Sequence, residues 1–141
     1  MEVRIVSTAA ELDAAFAVRR TVFQDEQHVP PDLEFDADDG QAVHVIAEAE
    51  GTVVGTGRVV LHADHAKIGR MAVLAQWRRC GVGRLLLDAL LREAAQRGAV
   101  RALLHAQVHA LGFYARAGFT AVGDEFDEAG IPHRKMERSL R

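Results

Sequence analysis

The residues of this chain best suited to chemistry are Arg78-Arg79-Cys80-Gly81-Val82-Gly83, which open a long leucine-rich segment. A helix N-terminus leaves about four N–H groups unpaired and carries a partial positive charge. Glycine lets such a main chain approach an anion with no Cβ in the way. Two arginines add donors that match phosphate oxygens. The turn therefore suits a pyrophosphate. Its spacing is not that of a nucleotide loop. G-x-x-x-x-G-K-[ST] is absent, and Gly81-x-Gly83-x-x-Leu86 lacks the third glycine of a dinucleotide fingerprint. On these residues alone, a plain glycine turn flanked by solvated arginines is the competing reading.

Other reactive side chains narrow the chemistry. Cys80 is the single cysteine, which excludes an intrachain disulfide framework and a multi-cysteine zinc site. Arg79 beside it would acidify the thiol, but no base accompanies it, so a covalent role is not expected. The seven histidines include His62-x-x-His65 and His105-x-x-x-His109. Neither pair brings further ligands at a zinc spacing, and no metal is expected. Residues 25–40 hold seven acids and no Lys or Arg. Pro30-Pro31 bars a continuous helix there. The segment reads as an acidic loop with at most one helical turn, its carboxylates either solvated or drawing a cationic ligand to a cleft.

The elements that would position these residues follow from periodicity. Residues 2–6 alternate as a strand. Thr8-x-x-Glu11 has the pattern of a capping box, with Ser7 competing as the cap, and opens a helix to about Gln24. Segments 42–49 and 52–61 read as strands joined by a tight turn at Glu50-Gly51. A third strand spans about 66–74. The strongest helix runs from Gly83 to Gln96, with Arg84, Asp88, Arg92 and Gln96 as its polar stripe and Leu85, Leu86 and Leu90 on its apolar surface. Asp88 and Arg92 are spaced as an ion pair, and Arg97-Gly98 ends the helix. Then come a strand at 100–106, a short helix from His109 to Ala117, a strand at 119–122, an acidic loop from Gly123 to Gly130 and a strand at 132–138. The order is β-α-β-β-β-α-β-α-β-β.

Composition sets the outer bounds. At 141 residues the chain has the size of one ordinary domain. With 49% apolar and 26% charged residues it is globular in balance. A net charge of −3 offers no basic field for nucleic acid. No apolar run approaches the roughly 20 residues of a membrane helix. Met1-Glu2-Val3-Arg4 is followed by no long apolar segment, so a cytoplasmic location is expected.

Arg78-x-x-Gly81-x-Gly83 followed by Leu85-Leu86-Leu87 resembles motif A of the GCN5-related N-acetyltransferases, the GNAT superfamily. Ala110-x-x-Phe113-Tyr114-x-x-x-Gly118-Phe119 resembles their motif B, one helix and one strand later. Gly69-Arg70-Met71-Ala72-Val73 is similar to the end of their fourth strand. Phe23-Gln24-Asp25-Glu26-Gln27 and Gly130-Ile131-Pro132-His133-x-x-Met136 resemble the small ElaA/YjcF-type branch. The likeness implies an α/β (α+β) GNAT fold, a mixed and mostly antiparallel sheet with helices on both faces. It implies acetyl-CoA as co-substrate, in a cleft where two parallel strands splay. Backbone groups of Met71, Ala72 and Val73 would pair with the pantetheine arm. Amides from Arg79 through Cys80, Gly81, Val82 and Gly83 to Arg84 would hold the pyrophosphate, with the Arg78 and Arg79 side chains nearby. Phe113 would lie at the cofactor, and Gln107 stands where the family often carries Asn. Dimers are common in the family, so a homodimer is compatible with the resemblance, although no interface signal is legible.

The implied reaction is acyl transfer from a thioester to an amine of a small molecule or peptide. The amine must be neutral, the thioester oxygen stabilised and the leaving thiolate protonated. Tyr114, the only tyrosine, is the expected general acid, because a phenol with a reference pKa near 10 matches a departing thiolate. Its alternative is an amphipathic core residue. Glu26 and His133 are the candidate bases, each otherwise a solvated group, and bulk water could also take the proton. A non-catalytic acyl-CoA binding or sensing protein is the alternative function. A nucleotide-binding regulatory domain is a weaker one.

Overall fold

The computed structural model describes residues 1–141. One sheet of seven strands runs through it: β1 (Glu2–Ile5), β2 (Val43–Ala49), β3 (Thr52–Leu61), β4 (His65–Val73), β5 (Arg101–Gln107), β6 (Thr120–Glu128) and β7 (Ile131–Ser139). Their spatial order is β1-β2-β3-β4-β5-β7-β6. Only β4 and β5 are parallel, and the other neighbours are antiparallel. The helices are α1 (Ala9–Arg19), α2 (Pro31–Glu34), α3 (Val82–Gln96) and α4 (Leu111–Arg116). This is the mixed, mostly antiparallel sheet and the element order that the sequence implies. No helix is long and apolar enough to cross a membrane.

Local signals explain most boundaries. Thr8 caps α1, accepting from the Glu11 amide at 3.1 Å. The Glu11 carboxylate reaches one residue further back than a capping box requires, to the Ser7 amide at 2.8 Å. Glu50 and Gly51, at φ 53° and 78°, make the tight turn between β2 and β3. Gly98 at φ 93° terminates α3. Leu86, Leu87 and Leu90 of α3 pack on Val45, Val59, Ile68 and Leu104 of the sheet to form the main core. Leu85 instead points outward, 46% exposed. Asp88 pairs with Arg84 at 3.0 Å rather than with Arg92.

Two segments depart from the expected elements. The strand expected at 119–122 continues as β6 to Glu128, where the sequence reads as loop. A register shift between Val122 and Phe126 takes up the intervening residues as a bulge. Its acids are tolerated because β6 is the sheet edge and has a wet face. The other departure is the acidic segment. The first helix does not stop at Gln24 but widens into π-type turns over Arg20–Glu26. After it come α2 and a 3-10 turn at Ala37–Gly40.

Asp25, Asp32 and Asp38 of this segment are exposed, but Glu34, Asp36 and Asp39 are spent on arginines. Arg19 of α1, 1% exposed, donates to the Glu34 carboxylate at 2.6 Å and to Asp39 at 2.7 Å. Its guanidinium lies 4.9 Å from the ring centroids of both Phe16 and Phe35. Arg58 of β3 donates to Asp36 and Asp39, each at 2.7 Å. Arg70 of β4 donates to the Glu34 carbonyl at 2.8 Å and to Asp36 at 3.0 Å. Three guanidiniums thus meet three carboxylates.

The same network shapes β4. Arg58 pairs with Gly69 and Thr56 with Ala72, so Arg70 and Met71 together oppose Gly57 alone. This is a β-bulge, with Arg70 at φ 52°. Beyond it the parallel pairing with β5 is lost; the last partners are Ile68 and Leu104. The two strands splay from there.

Truncating Glu34→Ala leaves the buried Arg19 only Asp39 as a carboxylate partner and is expected to destabilise by about 1.5–3 kcal/mol, read as a lowered denaturant midpoint. Burial would raise the Asp39 pKa, but the Arg19 and Arg58 hydrogen bonds outweigh it and hold the carboxyl down at about 2 against an ordinary 3.8. The unfolded chain therefore binds that proton first as pH falls. The contribution of Asp39 is complete above 3.8 and is lost as pH drops to about 2. Acid titration of unfolding free energy should show that loss, and Asp39→Asn should flatten it.

Candidate active site

The splay between β4 and β5 opens into a cavity of about 540 Å³. Val22, Phe23 and Gln27 of the widened helical turns line one wall. Met71, Ala72 and Val73 of β4 and His105 and Gln107 of β5 line the throat. Tyr114 closes the end, and Glu128, Ile131 and His133 from the β6–β7 hairpin form the opposite wall. The β5-facing edge of β4 past Ile68 has no strand partner, so an extended polar chain can add there as a strand would.

The glycine turn leads into α3 just beyond β4. Gly81 caps the helix at φ 84°, a left-handed conformation that favours glycine, and no side chain caps it. The first intrahelical bond runs from Leu85 N–H to Gly81 at 3.1 Å. The N–H groups of Val82, Gly83 and Arg84 precede it and remain available. Arg79, at φ 63°, is exposed and its guanidinium has no partner. Arg84 is turned to Asp88 and to the Arg116 carbonyl. Gly83 serves packing more than anion approach, since a Cβ there would meet the Phe113 ring at 3.4 Å. Phe113 accordingly sits against α3 and edge-on to Tyr114, with centroids 5.0 Å apart, and does not line the cavity. Cys80 is exposed, its thiol donating to the Arg78 carbonyl at 3.4 Å.

Arg78 and Glu26 form a clamp rather than two separate site groups. Arg78 Nε donates to the Val73 carbonyl at 2.8 Å, and Nη2 donates to both Glu26 oxygens at 2.7 and 2.8 Å. Glu26 is therefore occupied and lies outside the cavity lining. Gln107 ties the end of β5 to the residue that follows the widened helical turns, donating to Gln27 at 2.9 Å and accepting from His109 at 2.6 Å.

Tyr114 does reach the cavity. Its hydroxyl has one weak partner, the Met71 sulfur at 3.7 Å. Burial with no compensating charge pushes the phenol up to about 12. His133 is also in the cavity and is 7% exposed. It stands beside Gln107 in the β5–β7 register. Glu128 accepts from His105 at 2.9 Å and lies 3.5 Å from His133. Glu128 was not singled out from the sequence, and His105 only in a spacing with His109 that does not suit a metal. The histidine lies in a strand and the acid in a stretch that reads as loop, and only the hairpin brings them together.

The fold agrees with the comparisons. The Acetyltransferase (GNAT) domain model matches residues 6–140. An uncharacterized N-acetyltransferase, YjcF of Bacillus subtilis, is 36% identical over 137 residues, 96% of this chain and 98% of that one. Among solved structures, an acyl-CoA N-acyltransferase from Pseudomonas aeruginosa superposes with TM-score 0.86 at 30% identity, covering 98% of this chain and 99% of the other. ElaA of Escherichia coli gives TM-score 0.86 at 27% identity, over 97% and 98%. The chain belongs to the GNAT acetyltransferase family.

Because Tyr114 is the only tyrosine, its ionisation can be read alone. The 295 nm phenolate band should appear with a midpoint near 12 in the folded protein, and near the ordinary value of about 10 after denaturation. Equal midpoints would place the phenol in water.

Proposed function

We propose that this chain transfers an acyl group, acetyl from acetyl-CoA, directly to a primary amine of a small molecule or peptide. The observation that carries this reading is the join of two features. A donor-rich turn at α3 opens beside a splayed pair of strands, and the splay leads to a buried phenol. The free N–H groups of Val82, Gly83 and Arg84 and the unpaired guanidinium of Arg79 fit a diphosphate. The bare edge of β4 at Met71–Val73 fits the amide-bearing arm. The thioester, when bound, supplies the activated acyl carbon.

Residues of this chain then do the rest. A backbone N–H at Val73 polarises the thioester oxygen. Tyr114, still protonated at neutral pH, gives its proton to the departing sulfur. His133 is the base on the amine side. Glu26 acts through Arg78, clamping the end of β4, rather than on the amine. Cys80 lies outside the cavity lining, which supports direct transfer over a covalent intermediate.

Thiol release from acetyl-CoA against a panel of polyamines, aminoglycosides, amino acids and short peptides tests the reading. Tyr114→Phe is expected to lower kcat roughly 100-fold or more while calorimetric affinity for coenzyme A is kept. Binding of coenzyme A with no release for any amine would make this a binding protein. Equal turnover in the variant would remove Tyr114 from the chemistry.

A further inference from the structure

Glu128 and His133 face each other in a way that leaves a place for a third group. His133 Nδ1 lies 2.6 Å from the Ile131 carbonyl. A carbonyl only accepts, so the ring hydrogen is on Nδ1, and Nε2 of the neutral ring presents a lone pair. That nitrogen is 3.5 Å from Glu128 Oε2. The separation is longer than the roughly 2.7–2.9 Å of a charged N–H···O bond, so a second ring proton would not close it well. The other Glu128 oxygen is already taken by His105 Nδ1 at 2.9 Å. Phe126 holds both rings, edge-on to His105 at 5.0 Å and nearly parallel to His133 at 6.0 Å. Two acceptors thus converge on one spot in the cavity wall. A primary ammonium carries three N–H donors and can satisfy both.

We propose that Glu128 and His133 form the acceptor site, with the Glu128 carboxylate binding a primary ammonium and His133 Nε2 taking its proton. His105 is the positioning residue that fixes Glu128. The chemistry rests on the acyl-transfer reading; the binding does not. The ammonium nitrogen loses one proton to Nε2 and becomes a neutral amine. Its lone pair forms the bond to the acyl carbon as the carbon–sulfur bond breaks. The sulfur leaves with the electron pair and receives the Tyr114 proton. The amide nitrogen sheds its extra proton to solvent, and solvent resets both side chains. In the acidic segment Glu34, Asp36 and Asp39 are matched by Arg19, Arg58 and Arg70, and the remaining acid in the cavity lining, Asp38, is exposed. Besides the two histidines, Lys67 is the charged group that acts on Glu128.

Imidazole ¹⁵N spectra of the full chain, titrated with n-butylammonium chloride against a sodium chloride control, read the site without turnover. The neutral His133 ring is expected as the Nδ1–H form. The amine should shift its Nε2 signal, and Glu128→Gln should weaken that response about tenfold or more. A lysine-containing pentapeptide in a second arm separates a peptide acceptor from a small one. With any acceptor that supports thiol release, Glu128→Gln should raise the amine KM, and His105→Gln should raise it with kcat held. His133→Gln should lower kcat with the same acceptor. No shift at His133 with either amine, or an equal shift in Glu128→Gln, overturns the amine site. So does an unchanged KM in Glu128→Gln together with an unchanged kcat in His133→Gln. Amine shifts without thiol release would sustain the site and sink the acyl-transfer reading instead.

Discussion

The ion-pair network of Arg19, Arg58 and Arg70 with Glu34, Asp36 and Asp39 is the constraint on which the cleft depends. Arg19 and Glu34 are almost wholly buried, at 1% and 2% exposed. Removing Arg19 leaves the Glu34 carboxylate uncompensated where water cannot reach it, and removing Glu34 leaves Arg19 with Asp39 alone. The network therefore forms as a unit, and it ties α1, α2, β3 and β4 together. Because Arg70 belongs both to the network and to the β4 bulge, the wall of the cavity and the splay of its floor are set by the same contacts. A hydrophobic substitute of equal volume could fill the space but would not aim Arg70 at the Glu34 carbonyl.

The cleft is assembled from parts that respond to different forces. The glycine turn depends on local backbone conformation, with Gly81 in the left-handed region and the first amides of α3 left uncapped. The throat depends on a strand pairing that stops at Ile68. The far wall depends on the β6–β7 hairpin. The Arg78–Glu26 clamp and the Gln107–Gln27 bridge connect them across the opening. Polar side chains do the connecting because a bare apolar contact would close the slot rather than span it.

Much of this was legible in the residue order. The order of elements and the cap positions at Thr8 and Gly98 rest on local rules, and they hold, as does the family likeness that motifs A and B carry. Tyr114 could be assigned to the cleft because its motif carries it there. Glu26 could not be judged the same way. Its neighbours in sequence do not include Arg78, which occupies its carboxylate. Glu34, Asp36 and Asp39 looked unmatched for the same reason, their partners lying in α1, β3 and β4. The signal was present as three arginines placed within otherwise apolar elements, but nothing in their spacing says which acids they meet. The extension of β6 through Gly123–Glu128 was hidden because a bulge breaks strand alternation.

Sequence alone determined the periodicity of each element, the glycine that caps α3, the supply of reactive groups and the family likeness. These are short-range properties, governed by backbone sterics and by side chains a few positions apart. Tertiary structure decided which carboxylates are already spent on arginines. It also set where β4 and β5 part, how Gly83 meets Phe113, and that Glu128 lies between two histidines. Those outcomes depend on pairs distant along the chain, whose proximity and loss of water arise only when the sheet closes over its core.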